Sequence, residues 1–384
     1  MSMPRLDAVI PSRGLPVLLP LAATIALLVS ACAPEVITPP AVTVTEVPHT
    51  SRVAVPSPPE DPIPEIVWPL TGIGAVGVDQ ANLDRPSVGI KIENTADGRP
   101  QKGLEHADIV FEQYINGSCA RLMAFYHSDF PEDVGPIRSV RNMDPNIMGS
   151  FDTLLVASGG NIAVQKAFIR LEQLLLGRNF SPTTGYLQRS EGFSKMTRDV
   201  VDKAQEFRLW GHPATFSAEA AEKGMGPTPQ QFDYVYPASI ATAAVEGIDV
   251  ETIDISYSAC AHPHWTWNET DGLWDRFEFK NPHVTMDGNQ ISATNVIILR
   301  VKVAYTQGYN PESFVVVTDA PGYVATGGKI IPIRWTKADQ RDGYHLETLD
   351  GDPVYLAPGK TWIELAPLSG AQAIAVIKFD GTVQ

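Results

Sequence analysis

Trp265-Thr266-Trp267, then Asn268-Glu269-Thr270-Asp271-Gly272, then Leu273-Trp274-Asp275-Arg276-Phe277. Two runs of alternating large residues flank five polar ones that end in glycine. That is the pattern of two half-buried strands joined by a longer hairpin loop. Toward the C-terminus the strand pattern recurs over residues 295–303, 313–319, 329–335, 361–365 and 373–379. Gly327-Gly328, Asp350-Gly351 and Pro358-Gly359 mark the turns between them. Everything from about residue 230 onward therefore reads as a β-rich sandwich or barrel-like domain. No internal repeat is visible.

Working back from the hairpin, the texture changes over residues 227–237. On the N-terminal side, strands are expected over 88–92, 107–112 and 121–127, with a loop over 134–141 leading to Asp144. Leu154-Leu155-Val156-Ala157 reads as a buried strand running into Ser158-Gly159-Gly160-Asn161. Asn161 is placed to cap a helix with apolar positions Ile162, Phe168, Ile169, Leu174 and Leu175, stopping at Gly177. Further helices are expected from Ser194 toward Phe207 and from Ser217 toward Gly224. The expected class is α+β: a mixed α/β domain over 65–229 followed by a β-rich domain over 230–384.

Ahead of both lies a leader. Arg5 and Arg13 precede an apolar run over 15–29, and Val29-Ser30-Ala31-Cys32 follows. This is the order of a secretory signal peptide, here 1–31. Small residues directly before a cysteine match the bacterial lipobox, which makes Cys32 the expected lipidation site. The alternative is an uncleaved transmembrane anchor. The run is short of the roughly 20 apolar residues a span needs, and it carries Pro16 and Pro20. No second run of spanning length follows Cys32. Residues 32–64, rich in Pro and Thr, read as a semi-rigid spacer that holds the body away from the bilayer. The expected location is the extracytoplasmic face of the cell membrane.

The chain carries a formal charge of −15. Loss of the leader removes two arginines and one aspartate, making it slightly more negative. A surface this acidic argues against nonspecific nucleic-acid binding, which needs basic patches to neutralise phosphates. It also leaves the acyl anchor to hold the membrane. Besides Cys32 the only cysteines are Cys119 and Cys260. An exported compartment permits a disulfide between them; two buried unpaired thiols are equally compatible with the spacing.

Arg85-Pro86, Ile92 with Asn94, Arg99-Pro100-Gln101, Gly103-Leu104, Ala107-Asp108-Ile109-Val110 with Glu112, and Arg121-Leu122-Met123-Ala124 form a connected set. Val134-Gly135-Pro136-Ile137-Arg138-Ser139 with Arg141 is its most specific piece, and Gly159-Gly160 closes it. A second set comprises Trp267, Arg276, Asn295-Val296-Ile297, Gly328-Lys329, Trp335, Gly351 and Pro358-Gly359-Lys360-Thr361-Trp362. Together they resemble the YerB-like family of bacterial lipoproteins, a domain family of unknown function. The resemblance implies a two-domain exported lipoprotein and no established reaction. The chain departs from the pattern at Ala120, where threonine is usual, and in lacking a Pro-His-Asn stretch before the second domain.

Against the acidic background, Arg121, Arg138 and Arg141 stand out. Arginine forks in a Gly/Pro loop suit bidentate recognition of carboxylate or phosphate. The Gly159-Gly160-Asn161 turn at a helix N-terminus would add amides. The competing reading pairs these arginines with Asp108, Glu112, Asp144 and Asp152 to tie loops to the sheet. Ser158-Gly159-Gly160 matches neither the phosphate-loop nor the dinucleotide fingerprint. Asp108 and Glu112 lie four apart on one strand, roughly 13 Å, too far for either glycosidase geometry. His262-Pro263-His264 offers two imidazoles on one strand face but compels no third ligand, with His283 and Asp287 the nearest candidates. Trp265, Trp267 and Trp274 fit either a sugar platform or cross-strand packing. Neither a Gly-x-Ser-x-Gly elbow nor a His-Glu-x-x-His motif is present.

The reading is thus a binding lipoprotein without cofactor or metal, leaning away from an enzyme. Arg99, Glu112, Arg121, Arg138 and Arg141 are the expected contacts to an envelope component, an anionic small ligand or a partner protein. A cell-envelope glycan or peptide hydrolase is the main alternative, and a structural or assembly partner without ligand the other.

Overall fold

A short helix α1 (Gln80–Leu83), capped by the Asp79 carboxylate accepting from Ala81 N at 3.1 Å, leads into three strands with no exposed face. Every residue of β1 (Val88–Glu93), β2 (Ile109–Tyr114) and β3 (Ala120–Tyr126) is buried. A strand covered on one side alternates polar and apolar residues. These are covered on both, so Lys91, Glu93, Glu112, Gln113 and Arg121 are carried into the interior along with the apolar residues.

The computed structural model describes residues 63–160, 193–195, 207, 209–222, 224–307, 310–369 and 376–380. The expected leader, Cys32, nearly all of the spacer and the Asn161-capped helix lie outside the described residues. Next in the chain come α2 (Asp144–Met148), β4 (Leu154–Val156), β5 (Phe193–Lys195), β6 (Leu209–Gly211), α3 (Pro213–Glu222) and α4 (Thr242–Glu246). The second half continues with β7 (Ile248–Asp249), β8 (Thr252–Ser256), β9 (Pro263–Asn268), β10 (Leu273–Glu278), β11 (Asn281–Pro282) and β12 (Ser292–Ala293). It ends with β13 (Asn295–Gln307), β14 (Asn310–Phe314), β15 (Val317–Thr326), β16 (Lys329–Lys337), β17 (His345–Thr348), β18 (Thr361–Ser369) and β19 (Val376–Asp380). Strands dominate and helices are few, which is the α+β class with a β-rich C-terminal part.

Three expectations need correction. Phe193–Lys195 is a strand paired antiparallel with β6, where a helix from Ser194 was expected. Phe193 falls opposite Gly211 and Lys195 opposite Leu209, so cross-strand pairing overrides the local helical pattern there. The single strand expected over 313–319 is two, β14 and β15, each pairing with β13. The short helix from Ser217 starts four residues earlier, with Pro213 at its first position, where a missing N–H costs nothing.

Two sheets carry the structure. The larger, eleven-stranded among the described residues, runs β17-β16-β15-β13-β18-β2-β3-β1-β4, with β14 beside β13 and β7 beside β16. Its seam is the parallel pairing of β18 with β2, in which Glu364 lies opposite Glu112. The smaller sheet runs β11-β10-β9-β8-β19, with β12 beside β10. It packs on one face of the larger sheet, where Val88, Ile90, Val110 and Leu122 meet Trp265 and Trp274. The opposite face carries the other core, built on Ile109, Phe111, Met123, Phe125, Ile297 and Ile363. There Phe125 and Phe151 stack at 3.8 Å between ring centroids.

The hairpin that opened the sequence forms in register, Trp274 opposite Trp267 and Arg276 opposite Trp265. Trp265 and Trp274 are wholly buried, so the hairpin tryptophans pack between sheets and across strands. Gly327-Gly328 forms the two-residue turn between β15 and β16 with φ of 62° and 75°. A Cβ on Gly328 would meet the Trp267 ring at 2.8 Å. Glycine is needed there on both counts.

Cys119 and Cys260 are joined, with Cα atoms 4.8 Å apart at a sequence separation of 141. The question the spacing left open is answered by the sheet packing, which brings the β2–β3 loop against the loop before β9. Closing so long a loop destabilises the unfolded chain by about 5 kcal/mol in the chain-entropy model. Replacing both cysteines with serine is therefore expected to lower the thermal midpoint by several degrees. An unchanged midpoint under calorimetry would show that the crosslink adds nothing to native stability.

Candidate functional site

Strand alternation divides the five expected contact residues between two clusters. Arg121 lies opposite Gln113 and Glu112 opposite Leu122, so Arg121 and Glu112 project from opposite faces of the β2–β3 pair. Arg138 and Arg141 join Arg121. Arg99 joins Glu112.

The first cluster is organised on Glu93, the last residue of β1. After β4 ends, the segment through Ile137 takes its place beside β1. Glu93 N donates to Pro136 O at 3.0 Å and Arg138 N to Lys91 O at 2.9 Å. This sets Arg138 next to Glu93. Arg138 Nε donates to Glu93 Oε2 at 2.7 Å and Arg121 Nη2 to the same oxygen at 2.9 Å. Glu93 Oε1 accepts from the amides of Asn94 and Thr95. These four donors, two of them on charged arginines, hold the Glu93 carboxyl below the usual range even though its burial pushes the other way.

Next to it, Lys91 Nζ donates to Asp144 Oδ1 at 2.9 Å, with both side chains wholly buried. Gln113 Nε2 donates to the same oxygen and Arg141 N to Asp144 Oδ2. Burial draws the Lys91 ammonium down to about 8, with Asp144 opposing and Arg121 and Arg141 adding to the fall. Arg141 reaches Val140 O and Asn116 Oδ1, and burial beside Arg121 lowers it to about 10. Arg138 stacks over Phe207, 4.9 Å from the ring centre.

The carboxylate that pairs Arg121 and Arg138 is thus Glu93, which the sequence reasoning passed over. Of the four acids expected, only Asp144 contacts this group. Asp108 instead accepts from the His127 and Ser128 amides and from the Ser128 hydroxyl, and burial raises its carboxyl to about 6. The signal for Glu93 was its place one strand step from Lys91, on the same face. Gly159-Gly160 does sit alongside: Val140 N donates to Gly159 O and Ser158 N to Arg138 O.

The cluster is out of charge balance. Among the described residues four cations, Lys91, Arg121, Arg138 and Arg141, meet two carboxylates, Glu93 and Asp144. Arg121 is 4% exposed, yet among the described residues its Nε and Nη1 have no hydrogen-bond partner, and neither does Arg141 Nε. Arginine burial is normally accompanied by full pairing. Three unused donors thus lie within a group that carries excess positive charge.

The second cluster lies between the sheets and is organised on Arg276, wholly buried on β10. Arg276 Nη2 donates to Glu112 Oε2 at 2.6 Å and Glu278 Oε2 at 3.0 Å, and Nη1 donates to His283 Nδ1. Arginine has only donors, so His283 Nδ1 accepts, and its Nε2–H donates to Gln101 Oε1 at 2.8 Å. The Gln101 amide then donates to Glu93 O and Asn94 Oδ1, and Asn94 Nδ2 to Glu112 Oε1. One arginine orients the whole chain of bonds. Arg99 closes the rim, 3.1 Å from Glu278. Burial lowers His283 well below its usual value, keeping it neutral.

Glu364 is the third carboxyl here. Trp265 Nε1 bonds its Oε1 at 3.1 Å and it shares a bond with the Tyr257 hydroxyl at 2.9 Å. Burial and then Glu112 raise it well above the ordinary value; burial raises Glu112 as well, with the directly bonded Arg276 opposing. His262 and His264, the metal candidates, both turn to Asp254, at 2.8 and 3.3 Å. His283 is committed to Arg276 and Gln101. Among the described residues no group of three metal-ligating side chains converges.

Models of the protein of unknown function (DUF3048) match this chain over residues 70–225 for the N-terminal domain and 253–363 for the C-terminal domain. The chain belongs to this family, as its sequence resemblance implied. It is similar to the Bacillus subtilis (strain 168) protein named "Putative lipoprotein YerB", 25% identical over 325 residues, covering 80% of this chain and 88% of that one. A crystal structure of YerB from Bacillus subtilis shares the fold with a TM-score of 0.62 at 18% identity, covering 82% of this chain and all of that one.

Glu364 has a consequence for stability. Its native carboxyl keeps a proton above the unfolded value of 4.5, so the native state binds more protons than the unfolded chain as pH rises past that value. Stability from this group is full below that value and is withdrawn as pH climbs toward the native pKa. Glu364→Gln keeps the neutral shape and should remove this slope. Its urea midpoint relative to the parent is expected to improve between about pH 5 and about pH 8. An equal difference at both would show Glu364 ionised throughout.

Proposed function

We propose that this chain is an exported lipoprotein, anchored through Cys32 on the extracytoplasmic face of the membrane, whose body binds an anionic envelope component through Arg121, Arg138 and Arg141. The relative named as a lipoprotein supports the anchor. Among the described residues no helix is long and apolar enough to cross a membrane. The observation that carries the binding reading is the excess of two positive charges around Glu93 and Asp144, with unpaired donors on Arg121 and Arg141.

Electrostatics favours a phosphate or carboxylate on the ligand. Its oxygens would take up the unused N–H donors, and its charge would relieve the mutual repulsion of four neighbouring cations. Arg138, a quarter exposed, is the entry residue, while Arg121 and Lys91 lie deeper. The hydrolase alternative gains nothing from Glu112. Both its oxygens are engaged, one by Asn94 and one by Arg276, and it has no exposure.

The test is titration of the mature chain in detergent with inorganic phosphate, then with fractionated envelope material in competition with phosphate. Arg138→Ala should weaken phosphate binding about tenfold or more, the scale of a lost charge-assisted bond. Arg138→Lys should fall between, keeping charge and losing the fork. Equal affinity in all three proteins would overturn the reading, as would chemical conversion of the envelope material by the parent.

A further inference from the structure

On the opposite face of the large sheet from the arginine cluster, Arg99 and Glu278 line an open pocket of about 270 Å³. Pro100, Phe279, Pro282 and Val284 supply an apolar wall. We infer that this pocket is a second binding site, for a free α-amino acid with an apolar side chain. The ligand carboxylate would lie on Arg99, its ammonium beside Glu278 and its side chain against the wall.

Three observations converge on that class. First, the pocket presents a cation and an anion side by side, 3.1 Å apart, with the Arg99 side chain still partly exposed. An α-amino acid carries the complementary pair of charges on one carbon. Second, the charges behind the pocket are balanced. Arg99 and Arg276 face Glu112 and Glu278, two guanidiniums against two carboxyls, and burial raises the third carboxyl, Glu364, well above its ordinary value. A ligand with net charge would unbalance a buried, low-dielectric cluster, whereas a zwitterion does not. Third, the pocket is smaller than the roughly 300 to 1,000 Å³ typical of drug-sized ligands, which suits a single small molecule.

The wall has been built at a conformational cost. Glu278 pairs with Asn281, which makes Phe279-Lys280 a two-residue turn. Phe279 has φ of 57°, a left-handed position that such turns give to Asn, Asp or Gly. An aromatic residue held there, and left exposed, stores strain in a segment where packing gives no reason for it; such strain collects at ligand contacts. Phe279 N donates to His262 O and its ring lies 5.4 Å from that of His262, so the turn is tied in place. This site is independent of the anion site proposed above.

The experiment uses the mature chain in detergent and isothermal titration with leucine of both hands, N-acetyl-leucine and leucinamide. Saturable binding of leucine, weakened about tenfold or more in both blocked compounds, is the expected result. Val284→Trp fills the pocket from a partly exposed position, and Arg99→Met removes the carboxylate fork. Each should abolish leucine binding while the cooperative thermal unfolding transition persists, which shows that the variant has folded. Absence of saturable leucine binding would overturn the inference. So would equal binding of N-acetyl-leucine, or unchanged leucine affinity in a folded Val284→Trp chain.

Discussion

A guanidinium with no exposure sits between two sheets, and everything around it is arranged to keep it charged. Burial alone would lower the pKa of Arg276. Glu112 and Glu278 in direct contact, with Glu364 behind them, carry its pKa upward instead. Trp362 and Trp265 face the guanidinium at 4.9 and 5.9 Å, excluding water while offering their electron-rich rings. Desolvating an ion costs several kcal/mol, and removing one partner of such a pair costs about 3 to 5 kcal/mol because the other is left unmatched. Glu112 comes from β2 and Arg276 from β10, so this bond is available only when the small sheet is seated on the large one. The ion pair therefore specifies the sheet packing, whatever it adds to net stability.

The fold was legible wherever a strand has a turn at each end and one face to the core. The Trp265–Phe277 hairpin is the clearest case, and Asn295–Gln307 and Lys329–Lys337 follow the same rule. What the residues along one strand do not disclose is which strand lies beside it. The parallel pairing of β18 with β2 joins residues about 250 apart in the chain, and it places Glu364 opposite Glu112. No local pattern encodes that. Ser194 and Lys195, expected to open a helix, pair instead with a strand that lies beyond them in sequence, while residues 196–206 of that expected helix lie outside the described residues.

The candidate site was legible by residue type and not by grouping. Arginines in an acidic chain stood out, but period-two alternation sends Arg121 to one face and Glu112 to the other, so five residues expected together serve two clusters. Glu93 escaped notice because a glutamate at a strand end looks solvated. Its burial follows from the Pro136–Arg138 segment running beside β1, a tertiary contact. Orientation, too, is inherited at a distance: the tautomer of His283 and the amide directions of Gln101 and Asn94 all follow from Arg276 having nothing but donors.

The contrast between the two clusters bears on function more than either does alone. Each collects buried charge on a face of the same strands, and a chain of bonds from Arg276 through His283 and Gln101 ends on the backbone of Glu93. Between the sheets, charges cancel and the arginine is surrounded by acceptors. On the other face, cations exceed carboxylates and donors stay unused. Arg276 Nε also lacks a hydrogen-bond partner among the described residues, so what sets the two groups apart is the charge imbalance next to a part-exposed arginine, Arg138. Folding stability gives no reason to keep four cations around two acids, because mutual repulsion and desolvation both act against it. Under the proposed function, a bound anion would offset that repulsion.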